Sequence, residues 1–128
     1  MGNIPSWKEL VSLEQFDQVL ERSRVKPALV FKFRTSSPEC LSVKKQLEQE
    51  WNISEEELDL FVLDESKHAK VSAEVTETAG VDDEFPQVLL FADGVTMYDE
   101  SHNMINVKKI RIALKIINRT FKWMESRA

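Results

Sequence analysis

The run from Ala28 to Phe33 constrains the fold more than any other segment of this sequence. Its letters, ALVFKF, are almost all aliphatic or aromatic, with a proline before it and a polar turn, RTSS, after it. Six residues are too few for a helix, whereas a short continuous apolar run is typical of a strand covered on both sides. We therefore expect a central strand over 28–33, inside a sheet with helices on both faces.

The segment after this strand predicts a helix that begins at the polar turn. Ser37 offers a hydroxyl at the N-cap position, and Pro38 fits the first helical position, where its missing N–H costs little. Apolar residues then recur at helical spacing at Cys40, Val43, Leu47 and Trp51. The pattern predicts a helix over about 38–51 and places Cys40 on its apolar face.

Three other segments show the same periodicity. Ser12 and Gln15 form a capping-box pattern at the start of a helix predicted over about 13–23. Gly80 is suited to end a helix predicted over about 69–79. A closing helix is predicted over about 107–125, and its apolar stripe is expected to cover the sheet. That stripe consists of Val107, Ile110, Leu114, Ile117, Phe121 and Met124.

Further strands are predicted over 58–63, 87–91 and 95–98, the last two joined by the hairpin turn Asp93-Gly94. With right-handed crossovers, this order of elements gives a thioredoxin-like α/β fold. We expect a single domain over 1–128, with a central mixed sheet of about four strands and helices on both faces. That fold keeps a cis-proline before its third strand, where Phe85-Pro86 stands, but the sequence leaves cis and trans open.

The charge balance and the apolar pattern exclude several classes of partner. The chain has 17 basic and 22 acidic side chains, a net charge of −5, so we expect no nucleic acid partner. The first 20 residues lack the continuous apolar core of a signal peptide or a spanning helix. We therefore expect no membrane partner and a cytoplasmic location. Gly2 fits the loose myristoylation pattern, but an ordinary leader is the favoured interpretation.

Cysteine and histidine are too few to build a disulfide framework or a metal site. Cys40 is the single cysteine, so any disulfide must join it to another molecule. The two histidines, His68 and His102, have no neighbouring ligand at zinc-site spacing. We therefore predict no metal and no resident cofactor.

Several short motifs together resemble the monothiol bacilliredoxins, small thioredoxin-fold proteins of bacteria that make the thiol bacillithiol. The similarity extends from about residue 13 to 114. Its markers are Phe31-Lys32 before TSSPEC at 35–40, Gly80-Val81, EFPQ at 84–87 and SHNMI at 101–105. The last two, close to the family's Glu-Ser-Pro-Gln and Ser-His-x-x-Ile, are the most specific. The resemblance implies a site at Ser37 and Cys40, with substrate-binding residues Pro38, Phe85, Pro86, Gln87 and His102.

The chain departs from the family at the chemistry itself. The family's motif resembles Thr-Cys-Pro-x-Ser, which aligns Ser37 with the nucleophilic cysteine and Cys40 with the serine. A serine hydroxyl cannot exchange disulfides, because the exchange proceeds through attack by sulfur. Ser37 therefore occupies the position that aligns with the family's nucleophile, but it is not expected to have that residue's reactivity. For Ser37 we favour an N-cap role over a hydrolytic one, since the sequence sets no triad partner beside it.

Two roles remain open for Cys40. Near the start of its helix it lies in the positive field of the helix dipole, which favours a reactive thiolate, and Lys32 or Arg34 would add to that field. Its place on the apolar stripe favours a buried structural thiol instead. Two roles are also open for His102, which either lines the groove or sits on the surface. Glu84 is expected to be solvated.

Two functions follow from these alternatives. In the first, the chain is a thiol–disulfide oxidoreductase-like protein whose redox activity rests on Cys40. Its partners are then protein thiols, with bacillithiol or glutathione as thiol co-substrate. In the second, the chain is a redox-inactive module that binds an extended peptide in the groove next to Pro86, through main-chain pairing that needs no thiol.

Overall fold

The computed structural model describes residues 5–127, with side chains as far as residue 120. Gly2 and the side chains of Phe121 and Met124 lie outside the described residues. The elements in chain order are β1 (Lys8–Glu9), α1 (Leu13–Arg22), β2 (Ala28–Phe33), α2 (Pro38–Glu50), β3 (Asp59–Asp64), α3 (Ala69–Ala79), β4 (Gln87–Ala92), β5 (Val95–Ser101), a 3₁₀ turn (His102–Met104) and α4 (Val107–Arg127).

Five strands form one mixed sheet in the order β1-β3-β2-β4-β5. Strands β1, β3 and β2 are parallel, whereas β4 runs antiparallel to β2 and β5 antiparallel to β4. Strand β2 is central, and all six of its residues are buried, as its apolar run predicted. The sheet has one strand more than the expected four.

The additional strand is β1 at the sheet edge. It consists of only two residues, Lys8 and Glu9, which pair with Phe61 and Val62 of β3 and are both exposed. A strand this short shows no alternation in the sequence, so periodicity could not reveal it. The next residue, Leu10, is fully buried and ties this edge into the core.

Each face of the sheet carries its own hydrophobic layer. Helices α1 and α3 cover one face, where they pack Phe16, Val19, Val71 and Val75 against the sheet. Helices α2 and α4 cover the other face with Cys40, Val43, Leu47, Ile110, Leu114 and Ile117. Because successive side chains of a strand alternate between faces, Phe31 and Phe33 point to the α2/α4 layer, and Lys32 points to the α1/α3 layer.

Capping residues set the ends of two helices. Ser12 caps α1, its Oγ accepting from the Gln15 N–H at 3.1 Å. The Gln15 side chain accepts from the Val11 N–H at 2.7 Å rather than from the Ser12 N–H that a capping box would use. Gly80 ends α3 as predicted, in the left-handed region at φ 70° that only glycine adopts freely.

Some boundaries differ from the predicted ones. Helix α2 ends at Glu50, because Trp51 turns to an extended backbone and donates its indole N–H to the Ile53 carbonyl at 3.0 Å. Strand β5 continues to Ser101, three residues beyond the prediction, since its ladder with β4 runs as far as the pair Gln87 and Ser101.

Candidate functional site

The first wall of the site is the turn between β2 and α2. The Ser37 N–H donates to the Arg34 carbonyl at 3.1 Å, which closes the turn. The Ser37 Oγ in turn accepts from the Cys40 N–H at 3.2 Å. Pro38 is the first helical residue and is exposed. The hydroxyl of Ser37 thus caps the helix, as the sequence predicted.

The second wall is the segment that leads into β4. Lys32 pairs with Gln87, so the residues after β2 and the residues before β4 meet at the same end of these two strands. The peptide bond between Phe85 and Pro86 is cis, which the sequence had left open. The Pro86 carbonyl accepts from the His102 N–H at 3.0 Å. Within the described residues, neither the N–H nor the carbonyl of Phe85 has a backbone partner.

The thiol of Cys40 is buried in the core and does not line either wall of the site. Its side chain is 0% exposed and belongs to the α2/α4 layer of the core, together with Phe31, Phe33 and Val43. A thiol must be reached by the partner sulfur before it can exchange. Of the two roles open to Cys40, the geometry therefore favours the buried structural thiol.

His102 joins the two walls. Its Nε2 lies 2.8 Å from Glu84 Oε2, and its Nδ1 lies 3.1 Å from each carboxylate oxygen of Glu39 at the start of α2. Carboxylates accept hydrogen bonds, so this arrangement favours the protonated ring, in which both nitrogens can donate. The Glu84 hydrogen bond, and after it that of Glu39, raises the pKa of His102. The side chain of Glu84 is 43% exposed, in keeping with the expectation that it is solvated, and it also forms half of this bridge.

We expect Glu84→Gln to bring the pKa of His102 back toward its ordinary value of about 6.5, because the variant removes the strongest acceptor. The raised pKa means that the bridge stabilises the fold fully below pH of about 6.5 and ceases to do so as the pH rises through the raised value. NMR titration of the His102 ring measures the shift. Glu14→Gln, an exposed change on α1, is the control, and an unmoved pKa in Glu84→Gln would exclude the bridge.

A buried lysine organises the second wall from behind. Lys32 is 0% exposed, and its Nζ donates to Asp83 Oδ1 at 3.0 Å, to Gln87 Oε1 at 2.8 Å and to the hydroxyl of Thr76. Gln87 continues the network by donating to the Asp82 carbonyl at 2.8 Å. Burial lowers the pKa of Lys32, and the hydrogen bond with Asp83 opposes that shift. All three donors of the ammonium are satisfied, so the loop before Pro86 is folded around it.

Lys32 and Arg34, the cations that the sequence suggested near Cys40, both contact other groups. Lys32 points to the opposite face of the sheet, because side chains of β2 alternate. Arg34 places its guanidinium carbon 4.3 Å from the centre of the Phe85 ring and donates from Nε to Glu65 at 2.7 Å. Lys32 Nζ lies 4.8 Å from the centre of the same ring, so two cations are close to Phe85.

Most of the predicted site residues meet at this end of the sheet, whereas the side chains of two of them point into the protein. Ser37, Pro38, Phe85, Pro86 and His102 line the two walls and their bridge. The side chain of Gln87 is 1% exposed and turns inward to the buried lysine, and the residue also borders a hollow that Glu84 and His102 line. The thiol of the motif lies in the core. The sequence analysis did not identify Glu39, the partner of His102 on α2, or the hydrogen-bond network around Lys32.

The described residues hold no group of three or more His, Cys, Asp or Glu side chains placed to bind a metal ion. Among the helices described over 5–127, none has the length and apolar character needed to cross a membrane.

Comparison with solved structures shows what the chain resembles. A protein described as having a thioredoxin fold is 26% identical, with a TM-score of 0.71 over 82% of this chain and 90% of that one. Thioredoxin of Malassezia sympodialis is 17% identical, with a TM-score of 0.68 over 88% and 90%. Thioredoxin of Trypanosoma brucei brucei is 15% identical, with a TM-score of 0.68 over 91% and 95%. No curated protein matches the chain significantly in sequence.

These likenesses confirm the predicted fold, and the chain is a thioredoxin-fold protein. A family model described as monothiol bacilliredoxin BrxC matches residues 8–110. The chain therefore belongs to the monothiol bacilliredoxin family, which confirms the resemblance found in its motifs. Family and fold together support a thiol–disulfide oxidoreductase-like role, with proteins or thiols as partners.

Proposed function

We propose that this chain binds an extended segment of a partner protein beside Pro86 and does not itself exchange disulfides. The observation that carries the proposal is the position of Cys40, the single cysteine, whose side chain is 0% exposed. The proposal also rests on the alignment of the family's motif, which puts Ser37 at the position of the nucleophile, where its oxygen cannot replace sulfur in the exchange. Within the family's oxidoreductase-like role, the chain keeps recognition and lacks the exchange step.

Main-chain pairing is the mode of binding that the groove supports. The N–H and carbonyl of Phe85, for which the described part of the chain supplies no backbone partner, offer one donor and one acceptor to an extended segment. His102 bridges the two walls through Glu39 and Glu84, which supports a groove that is formed before the segment arrives. Preorganisation of this kind reduces the entropy lost on binding.

Redox activity through Cys40 is the second candidate, and family membership favours it. The Cys40 thiolate would attack a mixed disulfide between a protein and bacillithiol or glutathione. One S–S bond would form at Cys40 as the other broke, and the partner's sulfur would leave as a thiolate and then take a proton. This path requires Cys40 to leave the core layer that it shares with Phe31 and Phe33.

Alkylation of Cys40 by iodoacetamide, followed by intact mass, separates the two candidates. We expect the native protein to label at least about 10³-fold more slowly than the protein in guanidinium, because access requires an opening that costs several kcal/mol. The control is Ser42→Cys, an exposed position on α2, which should add one fast-labelling thiol. Fast native labelling of Cys40 itself would contradict the proposal and favour the redox candidate.

Binding is tested with peptides selected from a random 12-residue library on the native protein. Supporting peptides shift the backbone NMR signals of Phe85 and Ser37, and they bind equally well to Cys40→Ala, which has no thiol. Selected peptides that leave both signals unmoved, or that require Cys40, would overturn the proposal.

A further inference from the structure

The charges of this acidic protein are unevenly distributed along the chain. Seven of its 17 basic side chains, but only one of its 22 acidic side chains, lie in residues 107–128. The segment 107–120 of helix α4 contains five of those basic residues and no acidic residue. A net negative protein therefore presents one basic helix, and such an asymmetry is typical of a surface that meets a charged partner.

The solvent side of α4 carries a basic row, which we define as Lys108, Lys115 and Arg119. All three are exposed, and their spacing of seven and four residues places them on one face of the helix. Among the described side chains, none of the three forms an ion pair. These three charges can therefore form ion pairs with a partner.

An apolar groove runs beside this row, between helix α4 and the edge strand β5. Its exposed rim consists of Met97, Ile112 and Ile116, which are 45%, 52% and 59% exposed. Tyr98 and Ile117 also line the groove, whose volume is about 360 Å³, and its two charged lining residues are Lys109 and Asp93. Large apolar side chains gathered in this way mark an interaction site, whereas single exposed ones do not.

We propose that this groove and the basic row form a docking surface for an acidic amphipathic segment of a partner protein. Apolar side chains of the segment enter the groove, and its carboxylates meet Lys108, Lys115 and Arg119. Such an arrangement joins apolar burial with charge complementarity, which also speeds the encounter. The surface shares no lining residue with the groove beside Pro86, so its test is independent of the proposed function.

Two other occupants fit the surface less well. A second copy placed by a two-fold axis would meet the same face and bring two basic rows together, which repel. An anionic membrane also attracts basic residues, but a membrane-bound helix presents a protruding apolar face, whereas these apolar atoms line a hollow. Charge complementarity and concavity together favour an acidic protein segment.

The probe is a synthetic peptide of about 16 residues with leucines at helical spacing between glutamates. Two matched peptides replace either all glutamates with lysine or all leucines with serine. We expect only the glutamate–leucine peptide to bind, measured by fluorescence anisotropy, and to shift NMR signals of α4 and β5. Binding should weaken at least about tenfold when salt rises from 50 to 500 mM, because exposed charges are screened.

Two variants divide the apolar and charged contributions. Ile112→Glu/Ile116→Glu should weaken binding at least about tenfold, and the exposure of both positions lets the variant fold. Lys108→Glu/Lys115→Glu/Arg119→Glu should transfer the preference to the lysine–leucine peptide. Equal binding of all three peptides, or none, would overturn the proposal. So would binding of phosphatidylglycerol vesicles in place of the peptide, or a dimer in sedimentation that Ile112→Glu/Ile116→Glu dissolves.

Discussion

Ser37→Cys is expected to give the protein the thiol–disulfide exchange activity that we propose the native chain does not have. The side chain at residue 37 is half-buried rather than enclosed, and it lies at the N-cap of α2 beside the segment before Pro86. A helix N-terminus stabilises a thiolate, which is the nucleophile in the exchange. With free glutathione supplied to reduce the mixed disulfide that forms at residue 37, we expect peptide thiol to be released from a glutathionylated model peptide at least about 10²-fold faster than with the native chain.

The matched control is Ser42→Cys, which adds an exposed thiol to the same helix away from its N-terminus. Both substitutions are also made with Cys40→Ala, so that a disulfide between residues 37 and 40 cannot mask the result. If the thiol at 37 reacts no faster than the thiol at 42, then the site does not activate sulfur. In that case a cysteine at residue 37 would not be sufficient for exchange in this chain.

Lys32→Ala is expected to destabilise the fold by about 3–5 kcal/mol, measured by urea unfolding. The substitution removes a charged donor from a buried network and leaves a cavity behind β4. Gln87, only 1% exposed, would keep a carbonyl oxygen with no donor in reach. Asp83 contributes less to the loss, since its side chain is 57% exposed and can be hydrated.

Two comparisons test this origin of the loss. Lys70→Ala removes an exposed lysine of α3 and should change the free energy of unfolding by less than about 0.5 kcal/mol. Lys32→Met keeps most of the buried volume, so it should lose less than Lys32→Ala. A loss below about 1 kcal/mol in Lys32→Ala would show that the network contributes little beyond the cost of burying its charge.

The elements that the sequence predicted well are those with a strong local signal. The continuous run Ala28–Phe33 and the turn Asp93-Gly94 both formed as predicted, because burial on two faces and a tight turn each restrict composition. Strand β1 escaped prediction because its two residues carry neither alternation nor burial. Its partner, β3, lies about 50 residues away, and pairing over that distance leaves no mark in a local pattern.

The site was predictable in its backbone and less so in its side chains. Ser37 and Pro38 predict a helix start by residue type alone. The Phe85-Pro86 dipeptide predicts the start of a strand. The bridge of His102 depends on three segments that meet only in the folded chain. The lysine inside the apolar run 28–33 is a signal for the buried network, because a lysine is almost never buried without acidic or polar partners.

The enclosure of Cys40 also determines how this protein meets oxidants. Peroxides and low-molecular-weight disulfides modify thiols that they can reach, and they do so in proportion to exposure. While the chain is folded, its sulfur is shielded from the sulfenic acid and mixed-disulfide chemistry that acts on accessible thiols. A Cys40 adduct recovered from cells would therefore record that this molecule had opened its core, and its abundance would count unfolding events rather than redox turnovers.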